Sequence, residues 1–309
     1  MAVRPGHPII SIPLLKSPKG EAGATLSAAP ALHPTVGRYW LGCSGWAYED
    51  WVGPFYPPGA PAGEFLTRYA RVFPTVEVDS SFYRPPSPFL IHRWADRTPD
   101  SFRFALKVPR AVTHEPGPES AAVLDGFLRS LDPLRDSGKL GPLLLQFPPS
   151  FRRPKGAGTL ERLLRAIPSP TPLAVELRHR SWWVDATREA LAARRAVLVW
   201  SIVPETAPPP WVTGDFLYAR FIGDRALTKF DRIQRDDRGA FAAMRQRFDD
   251  EGRDIPTIYG FSNNHFMGFG PGTAVALAQA LGEPTPELAA AARTAGQRTL
   301  DGVGPDAAG

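Results

Sequence analysis

The stretch PLAVELRHRSWW (172–183) joins a short apolar run to a dense group of charges. Val175 and Leu177 alternate with Glu176 and Arg178, which is the two-residue period of a β-strand whose faces differ in chemistry. A strand with an apolar outer face and a charged inner face is typical of a barrel covered by helices. Enclosed charges must be paired or face a ligand, because burying them alone is costly. The stretch therefore predicts a barrel with a charged network on its axis.

Eight β-rich runs of this length recur along the chain, separated by segments with helical spacing. The runs are RYWLGCSG (38–45), TVEVDSS (75–81), SFRFALKV (101–108), GPLLLQF (141–147), TPLAVEL (171–177), AVLVWSI (196–202), DFLYARFIG (215–223) and IPTIYGFS (255–262). Eight strands alternating with helices predict an α/β fold of the TIM (β/α)8 barrel type. A doubly wound sheet is the competing architecture, but GCSGWAYEDWVG (42–53) matches neither Gly-rich phosphate-loop pattern.

The barrel is predicted to be a single domain over residues 38–283, since folds of this class use about 250 residues. Segments 1–37 and 284–309 are rich in small residues and proline and show no sustained period. They are predicted to be flexible tails. No segment approaches the roughly 20 apolar residues of a membrane span, so a cytoplasmic protein without a membrane partner is expected.

Composition favours an anionic partner and excludes one class of metal site. The 36 Lys and Arg residues outnumber the 31 Asp and Glu residues, giving a net charge of +5. Most of the cations are Arg, which grips phosphate or carboxylate through two parallel hydrogen bonds. The single cysteine, Cys43, rules out an intramolecular disulfide and a Cys-rich metal cluster. An anionic small molecule or a nucleic acid is the expected partner, and the oligomeric state is left open.

Strand alternation also selects the candidate site residues. Because the catalytic end of such barrels is the C-terminal rim, inward-facing residues late in each strand are the candidates for catalysis and substrate binding. The residues predicted to be catalytic are Glu176, Glu77 and Lys107, with Glu176 transferring protons. Those predicted to bind substrate are Arg178, Arg220, Gln146, Asn263, Asn264, Ser80, Tyr83, Trp46 and His114. A lattice of salt bridges that only fixes strand register is the alternative interpretation of the charged members.

Other chemistries have weaker support in the sequence. The histidines of the barrel region, His92, His114, His179 and His265, form neither HxH nor HExxH, so neither a metal nor another cofactor is predicted. Cys43 sits in the first strand, where a free cysteine is more often a small buried hydrophobe than a nucleophile.

Six ordered blocks of the sequence resemble the YecE-like family, domain of unknown function 72. They are GCSGWAYEDWVGPFYPPG (42–59), FPTVEVDSSFYRPPS (73–87), FRFALKVPRAVTHE (102–115), GPLLLQFPPSF (141–151), AVELRHRSW (174–182) and YGFSNNHFMGFGPGTA (259–274). The resemblance implies a TIM barrel and transfers no activity. The chain departs from the family pattern at Phe269 and Ile202, where members often carry His and Asp.

The sequence therefore predicts a barrel enzyme of the hydrolase or lyase type, acting on a phosphate-bearing substrate by acid–base catalysis. A non-catalytic nucleic-acid-binding protein is the first alternative. The second alternative is a metal-dependent sugar isomerase or an enzyme like the abasic-site endonucleases. It is based on the resemblance of their barrels to this one, which is a likeness of fold only.

Overall fold

The computed structural model describes residues 38–203 and 207–284, and this part of the chain contains a barrel of nine parallel strands. The strands are β1 (Tyr39–Ser44), β2 (Thr75–Val78), β3 (Arg103–Lys107), β4 (Leu140–Gln146), β5 (Leu173–Glu176), β6 (Val197–Leu198), β7 (Trp200–Ile202), β8 (Leu217–Phe221) and β9 (Ile258–Ser262). Each lies in one of the eight predicted runs, except that β4 begins one residue before its run, at Leu140. The predicted tails lie outside the described residues, apart from Pro284.

The barrel closes through the sixth predicted run, which is divided in two. The sheet order is β6-β5-β4-β3-β2-β1-β9-β8-β7, so its two edges are consecutive pieces of chain separated only by Val199. β6 pairs with β5, and β7 pairs with β8. Val199 itself donates its amide hydrogen to the Val175 carbonyl at 3.0 Å. The TIM-like α/β barrel predicted from the sequence is confirmed, and the divided strand is the one departure from eight uninterrupted strands.

Helices cover the outer face of the barrel. In the described residues they are α1 (Phe65–Tyr69), α2 (Ser80–Tyr83), α3 (Pro88–Asp96), α4 (Arg110–Thr113), α5 (Ser120–Ser130), α6 (Asp132–Asp136), α7 (Arg153–Ala166), α8 (Asp185–Arg194), α9 (Arg238–Asp250), α10 (Asn264–Met267) and α11 (Gly270–Leu281). Single 3-10 turns lie at Glu49–Trp51, Ala62–Glu64 and Arg180–Trp182. Within 38–203 and 207–284, none of these helices has the length and apolar character needed to cross a bilayer.

The hydrophobic core has two parts that together position the site. The larger part fills the space between the strands and the helices, and it receives outward-facing residues such as Val76, Leu106 and Val175. The smaller part fills the lower half of the barrel. Its buried members are Ala105, Leu144, Ala174, Val197, Val199, Phe216, Tyr218, Tyr259 and Phe261. Trp40 packs against this inner cluster and stacks on Tyr259 at 5.8 Å between ring centroids. The N-terminal end of the barrel is thus filled with side chains, which leaves only the C-terminal end open to ligand.

Candidate functional site

A buried group of charges lies directly above the apolar filling, and Arg220 is at its centre. Arg220 is 2% exposed, while Glu77 and Glu176 are both 0% exposed. Arg220 Nη1 donates to Glu176 Oε2, and Arg220 Nη2 donates to Glu77 Oε1, both at 2.6 Å. The three residues belong to β8, β5 and β2, and they meet because each occupies an inward position of its strand. One guanidinium therefore forms ion pairs with carboxylates from two other strands.

Neighbouring side chains complete the hydrogen bonds of both carboxylates. Ser44 Oγ donates to Glu77 Oε1 at 2.8 Å, and the Tyr218 hydroxyl donates to Glu77 Oε2 at 2.7 Å. Arg178 Nε donates to the remaining oxygen of Glu176, Oε1, at 2.5 Å. We call Glu77, Glu176 and Arg220, with Ser44 and Tyr218, the ionic layer.

The ionic layer keeps Glu176 charged. Burial works against the ionised form, but Arg220 and Arg178 outweigh it and lower the pKa of Glu176 to about 2. Arg220 is kept charged in turn. Burial opposes its charge, but the carboxylates of Glu77 and Glu176 raise the pKa of Arg220 well above its usual value. A carboxylate that is ionised near neutral pH, and whose two oxygens are both bonded to cations, is poorly placed to exchange protons.

A cavity of about 370 Å³ opens above the ionic layer, at the C-terminal end of the strands. We call it the mouth cavity. It is lined by Tyr48, Asp79, Tyr83, Lys107, Gln146, Arg178, Arg220, Ile222, Arg225, Phe230, Asn263, Asn264 and His265. Its volume lies within the range of about 300–1,000 Å³ that is usual for small-molecule sites.

Asp79 is the carboxylate that reaches the mouth cavity. It follows β2 directly, and its side chain is 29% exposed. Asp79 Oδ1 lies 3.8 Å from Lys107 Nζ and 3.6 Å from Arg220 Nη2, both longer than a hydrogen bond. Burial, followed by the charge of Glu77, raises the pKa of Asp79 against the opposing effect of Arg220 and Lys107. Asp79 is therefore closer to exchanging a proton near neutral pH than Glu176 is.

Three cations face the mouth cavity besides Arg220. Lys107 Nζ lies 4.1 Å from the centre of the Phe82 ring and makes no hydrogen bond within the described residues. Burial lowers the pKa of Lys107, although Asp79 opposes this. Arg178 donates to Glu176 through Nε, so its two terminal nitrogens are not used in this hydrogen bond. Arg225 is exposed, adopts a left-handed φ of 62°, and has no acidic partner in the part of the chain described. The residues that line the mouth cavity therefore include four cations and one carboxylate, Asp79.

The opposite side of the mouth cavity is aromatic and amidic. Tyr48 and Phe230 contact each other edge to face at 6.2 Å, and Phe230 contacts the His265 ring at 5.0 Å. The Phe230 amide nitrogen donates to the Asp50 carboxylate at 2.8 Å, which fixes the 223–235 loop against the loop after β1.

Two adjacent asparagines extend this side. Asn263 caps α10 by accepting a hydrogen bond from the His265 amide nitrogen at 3.0 Å. Asn264 Oδ1 accepts from Trp51 Nε1 at 3.1 Å and from the Gly270 amide nitrogen at 2.8 Å. Asn264 is 3% exposed, so its side chain is held firmly in one orientation.

Unsatisfied polar atoms concentrate around the mouth cavity. In residues 38–203 and 207–284, four buried side-chain atoms have no hydrogen-bond partner: Asp79 Oδ1, Thr187 Oγ1, Arg220 Nε and Asn264 Nδ2. Three of the four belong to residues that line this one cavity. Because buried polar groups are normally hydrogen-bonded, these three atoms are the ones that a water molecule or a ligand in the cavity would satisfy.

The predicted site residues divide between the mouth cavity and its surroundings. Those that line it are Lys107, Gln146, Arg178, Arg220, Tyr83, Asn263 and Asn264. Glu77 and Glu176 lie beneath it in the ionic layer. Their assigned roles in binding or catalysis remain predictions.

Three predicted residues do not line the mouth cavity. Ser80 is exposed at the start of α2, because β2 ends at Val78 and the chain turns at once. The Trp46 ring packs edge to face on Trp94 at 5.2 Å. His114 contacts Phe82 at 4.8 Å, and burial, reinforced by Lys107 and Arg110, lowers the pKa of His114 to about 4. His114 is therefore neutral at neutral pH.

Six residues of the mouth cavity were not among the predicted site residues: Tyr48, Asp79, Ile222, Arg225, Phe230 and His265. Asp79 had a usable signal, since strand alternation already placed it inward beside Glu77. Arg225 and Phe230 lie on a long loop after β8, where no periodicity indicates direction.

Metal and thiol chemistry find little support in the described residues. They contain no group of three or more His, Cys, Asp or Glu side chains arranged to hold a metal ion. Cys43 is buried, and burial raises the pKa of its thiol to about 12, which disfavours the nucleophilic thiolate.

Comparison with known sequences places this barrel among proteins that lack an assigned activity. Residues 40–298 match a sequence model described as protein of unknown function DUF72. The UPF0759 protein YunF of Bacillus subtilis (strain 168) is 33% identical over 149 residues, which are 47% of this chain and 52% of that protein. The UPF0759 protein YecE of Escherichia coli (strain K12) is 28% identical over 151 residues, 48% of this chain and 52% of that protein. The chain thus spans about half the length of these curated relatives.

Solved structures share the same fold. A DUF72 family protein from Thermotoga maritima MSB8 has a TM-score of 0.68 and 29% identity, covering 79% of this chain and 99% of that one. A DUF72 family protein from Enterococcus faecalis V583 has a TM-score of 0.67 at 22% identity, covering 81% and 98% of the two chains.

Proposed function

The chain belongs to the family of proteins of unknown function DUF72, and we propose that it is an enzyme acting on a small phosphate-bearing substrate. The substrate binds in the mouth cavity, and acid–base catalysis follows there, in a reaction of the hydrolase or lyase type. One observation carries the proposal: Lys107, Arg178 and Arg225 line a cavity of small-molecule size together with a half-buried carboxylate, Asp79.

The cations supply the binding part of the proposal. Lys107 contributes a compact charge with three donors, and Arg178 contributes a fork that fits two phosphate oxygens. Arg178 is held by Glu176 through Nε, so its remaining nitrogens keep a fixed direction. Hydrogen bonds between charged partners contribute about 1.5–3 kcal/mol each. Two such contacts are enough for a measurable affinity for phosphate.

Asp79 supports the catalytic part better than Glu176 does. A proton-transferring carboxylate works best when its pKa approaches the working pH and when it can reach the substrate. Asp79 has the raised pKa and lines the cavity, whereas Glu176 is enclosed and has a pKa of about 2. We therefore propose Asp79 as the proton-transferring group and give Glu176 and Glu77 the task of positioning Arg178 and Arg220.

Binding is tested by calorimetric titration with inorganic phosphate. Lys107→Met and Arg178→Met should each weaken binding by about 10- to 100-fold, since each removes a charge-assisted contact. The matched control is Arg165→Met, because Arg165 lies in the last turn of α7, on the outside of the barrel. Equal affinities in the wild type and both mouth variants would overturn the proposal.

Catalysis is tested with a panel of phosphate esters, by following release of inorganic phosphate and formation of unsaturated products. Asp79→Asn should abolish turnover while changing phosphate affinity by less than about threefold, because the amide keeps the size of the side chain and loses its proton chemistry. Full activity of Asp79→Asn together with loss of activity in Glu176→Gln would return the catalytic role to Glu176.

A second candidate, a non-catalytic nucleic-acid-binding protein, has one observation in its favour. The rim of the mouth carries Arg84, Arg152 and Arg180, exposed and without acidic partners in the described residues, beside Tyr83, which is 75% exposed. Exposed cations with an aromatic ring can bind a nucleic-acid backbone and stack on a base. Salt titration separates the two candidates, because each phosphate contact adds about one unit to the slope of log affinity against log salt. A small substrate in the mouth cavity predicts a slope of about one or two, and an extended strand predicts a steeper one.

A further inference from the structure

The unpartnered polar atoms around the mouth cavity are chemically mixed. Arg220 Nε and Asn264 Nδ2 are hydrogen-bond donors, and Asp79 Oδ1 is an acceptor when the carboxyl is ionised. The phosphate group of an ester is mostly a dianion near pH 7 and then only accepts hydrogen bonds, so it satisfies the donors and leaves the acceptor of Asp79 facing a like charge. The cavity is thus built for more than a phosphate group.

From this mixture we infer, resting on the proposed function, that the substrate is a phosphate ester that also carries a hydroxyl group, the class to which sugar phosphates belong. A hydroxyl donates one hydrogen bond and accepts others, so it can donate to Asp79 while accepting from Asn264. A carbonyl only accepts, and an ammonium only donates. Of the three groups, only the hydroxyl matches both kinds of unpartnered atom.

The orientation of Asn264 makes this requirement specific. Its Oδ1 already accepts hydrogen bonds from Trp51 Nε1 and the Gly270 amide nitrogen, so the amide is fixed with Nδ2 as the unused end. Rotating the amide by half a turn would place two donors against its NH2 group. The unused hydrogen-bonding group of the Asn264 side chain is therefore a donor.

The remaining walls fit the rest of such a molecule. Lys107 and Arg178 bring positive charge for the phosphate, and Tyr48 and Phe230 offer ring surfaces for C–H groups of a carbon chain. The cavity volume of about 370 Å³ suits a compact ligand of this kind.

The inference is tested by calorimetry with two esters of equal charge, glycerol 3-phosphate and propyl phosphate, and with inorganic phosphate as a third ligand. Wild-type protein should bind glycerol 3-phosphate at least about tenfold more tightly than propyl phosphate, since only the first carries hydroxyl groups. Asn264→Asp keeps the Oδ1 acceptor and removes the donor, so it should bring the two affinities within about threefold. The added charge acts on both esters alike, and their ratio therefore reports the hydroxyl.

Two further variants guard the conclusion. Asp79→Ala removes the acceptor and should also reduce the ratio of the affinities for glycerol 3-phosphate and propyl phosphate. If thermal unfolding shows that Asn264→Asp has lost its fold, the result with Asp79→Ala tests the inference instead. Arg165→Met should keep the wild-type ratio.

The outcomes separate the inference from the proposed function. Equal binding of the two esters to wild-type protein, with affinities that still depend on Lys107 and Arg178, overturns the inference and leaves the proposed function standing. Absence of binding by inorganic phosphate and both esters overturns the proposed function and the inference with it. A tenfold preference that persists in both Asn264→Asp and Asp79→Ala assigns the hydroxyl to other residues and also overturns the inference.

Discussion

The ionic layer and the mouth cavity are neighbouring regions of one barrel, both rich in charge, and they differ in how completely their groups are bonded. In the ionic layer, each oxygen of Glu77 and Glu176 accepts at least one hydrogen bond, and the carboxylates are fully buried. In the mouth cavity, Asp79 Oδ1 and Asn264 Nδ2 have no hydrogen-bond partner among residues 38–203 and 207–284, and Lys107 Nζ lies 3.8 Å from Asp79 Oδ1. The difference is that the first region links three strands by complete ion pairs, whereas the second keeps polar groups that the proposed substrate would contact.

Removing the central cation of the ionic layer should have the largest effect. Arg220→Met leaves Glu77 and Glu176 buried without their shared partner, which should lower the free energy of unfolding by about 3–5 kcal/mol. Urea unfolding followed by circular dichroism measures the loss, with Arg165→Met as the exposed control. A loss below about 1 kcal/mol would show that the ionic layer does not stabilise the barrel.

The same chemical change, carboxylate to amide, should act differently in the two regions. Glu176→Gln weakens bonds to two buried cations and should lower the free energy of unfolding by about 2–3 kcal/mol. Asp79→Asn should leave it within about 1 kcal/mol or increase it, because the raised pKa of Asp79 means that folding disfavours its charged form. Equal losses in the two variants would remove the distinction between the regions.

Acid should weaken the ionic layer in a defined pH window. The pKa of Glu176 is about 2 in the folded protein, against a reference value of 4.5, so its stabilising contribution is complete above about pH 5 and declines as the pH falls toward 2. About 2 kcal/mol of that contribution is lost by pH 3. Unfolding free energies of wild type and Glu176→Gln should therefore converge as the pH is lowered from 6 to 3. A constant difference across this range would contradict the low pKa.

Replacing a cation of the mouth cavity should have the smallest effect on stability. Lys107 makes no hydrogen bond through Nζ within the described residues, and burial already lowers its pKa. Lys107→Met should therefore change the free energy of unfolding by less than about 1 kcal/mol, since the apolar side chain loses little and avoids the cost of burying charge. Thermal unfolding at neutral pH measures the change. A loss as large as that of Glu176→Gln would move Lys107 into the structural region.

Strand alternation allowed much of this arrangement to be predicted from the sequence. The runs around Glu77, Lys107, Glu176 and Arg220 showed which side chains face inward, because the residues between them are apolar and must face the helices. The number of strands followed from the same pattern. The interruption at Val199 did not, because a pairing change between neighbouring strands leaves no mark on an apolar run.

The mouth cavity was harder to predict because it is built largely from loops and very short helices. Four-residue helices such as α2 and α10 have no periodicity to detect, so the sequence did not show that Ser80, a predicted substrate-binding residue, begins a helix and lies exposed outside the cavity lining. The distinction between Asp79 and Glu176 depends on which neighbours reach each carboxylate, and this is a property of packing between strands distant in sequence.

Because of the apolar filling beneath the ionic layer, the mouth cavity is closed at its base. Trp40, Tyr259 and Phe261 pack together in the other end of the barrel, so the described residues leave no open channel along its axis. Under the proposed function, the product would leave through the same opening by which the substrate entered, so bound product would block the next substrate. Turnover would then slow as product accumulates, with an inhibition that excess substrate relieves.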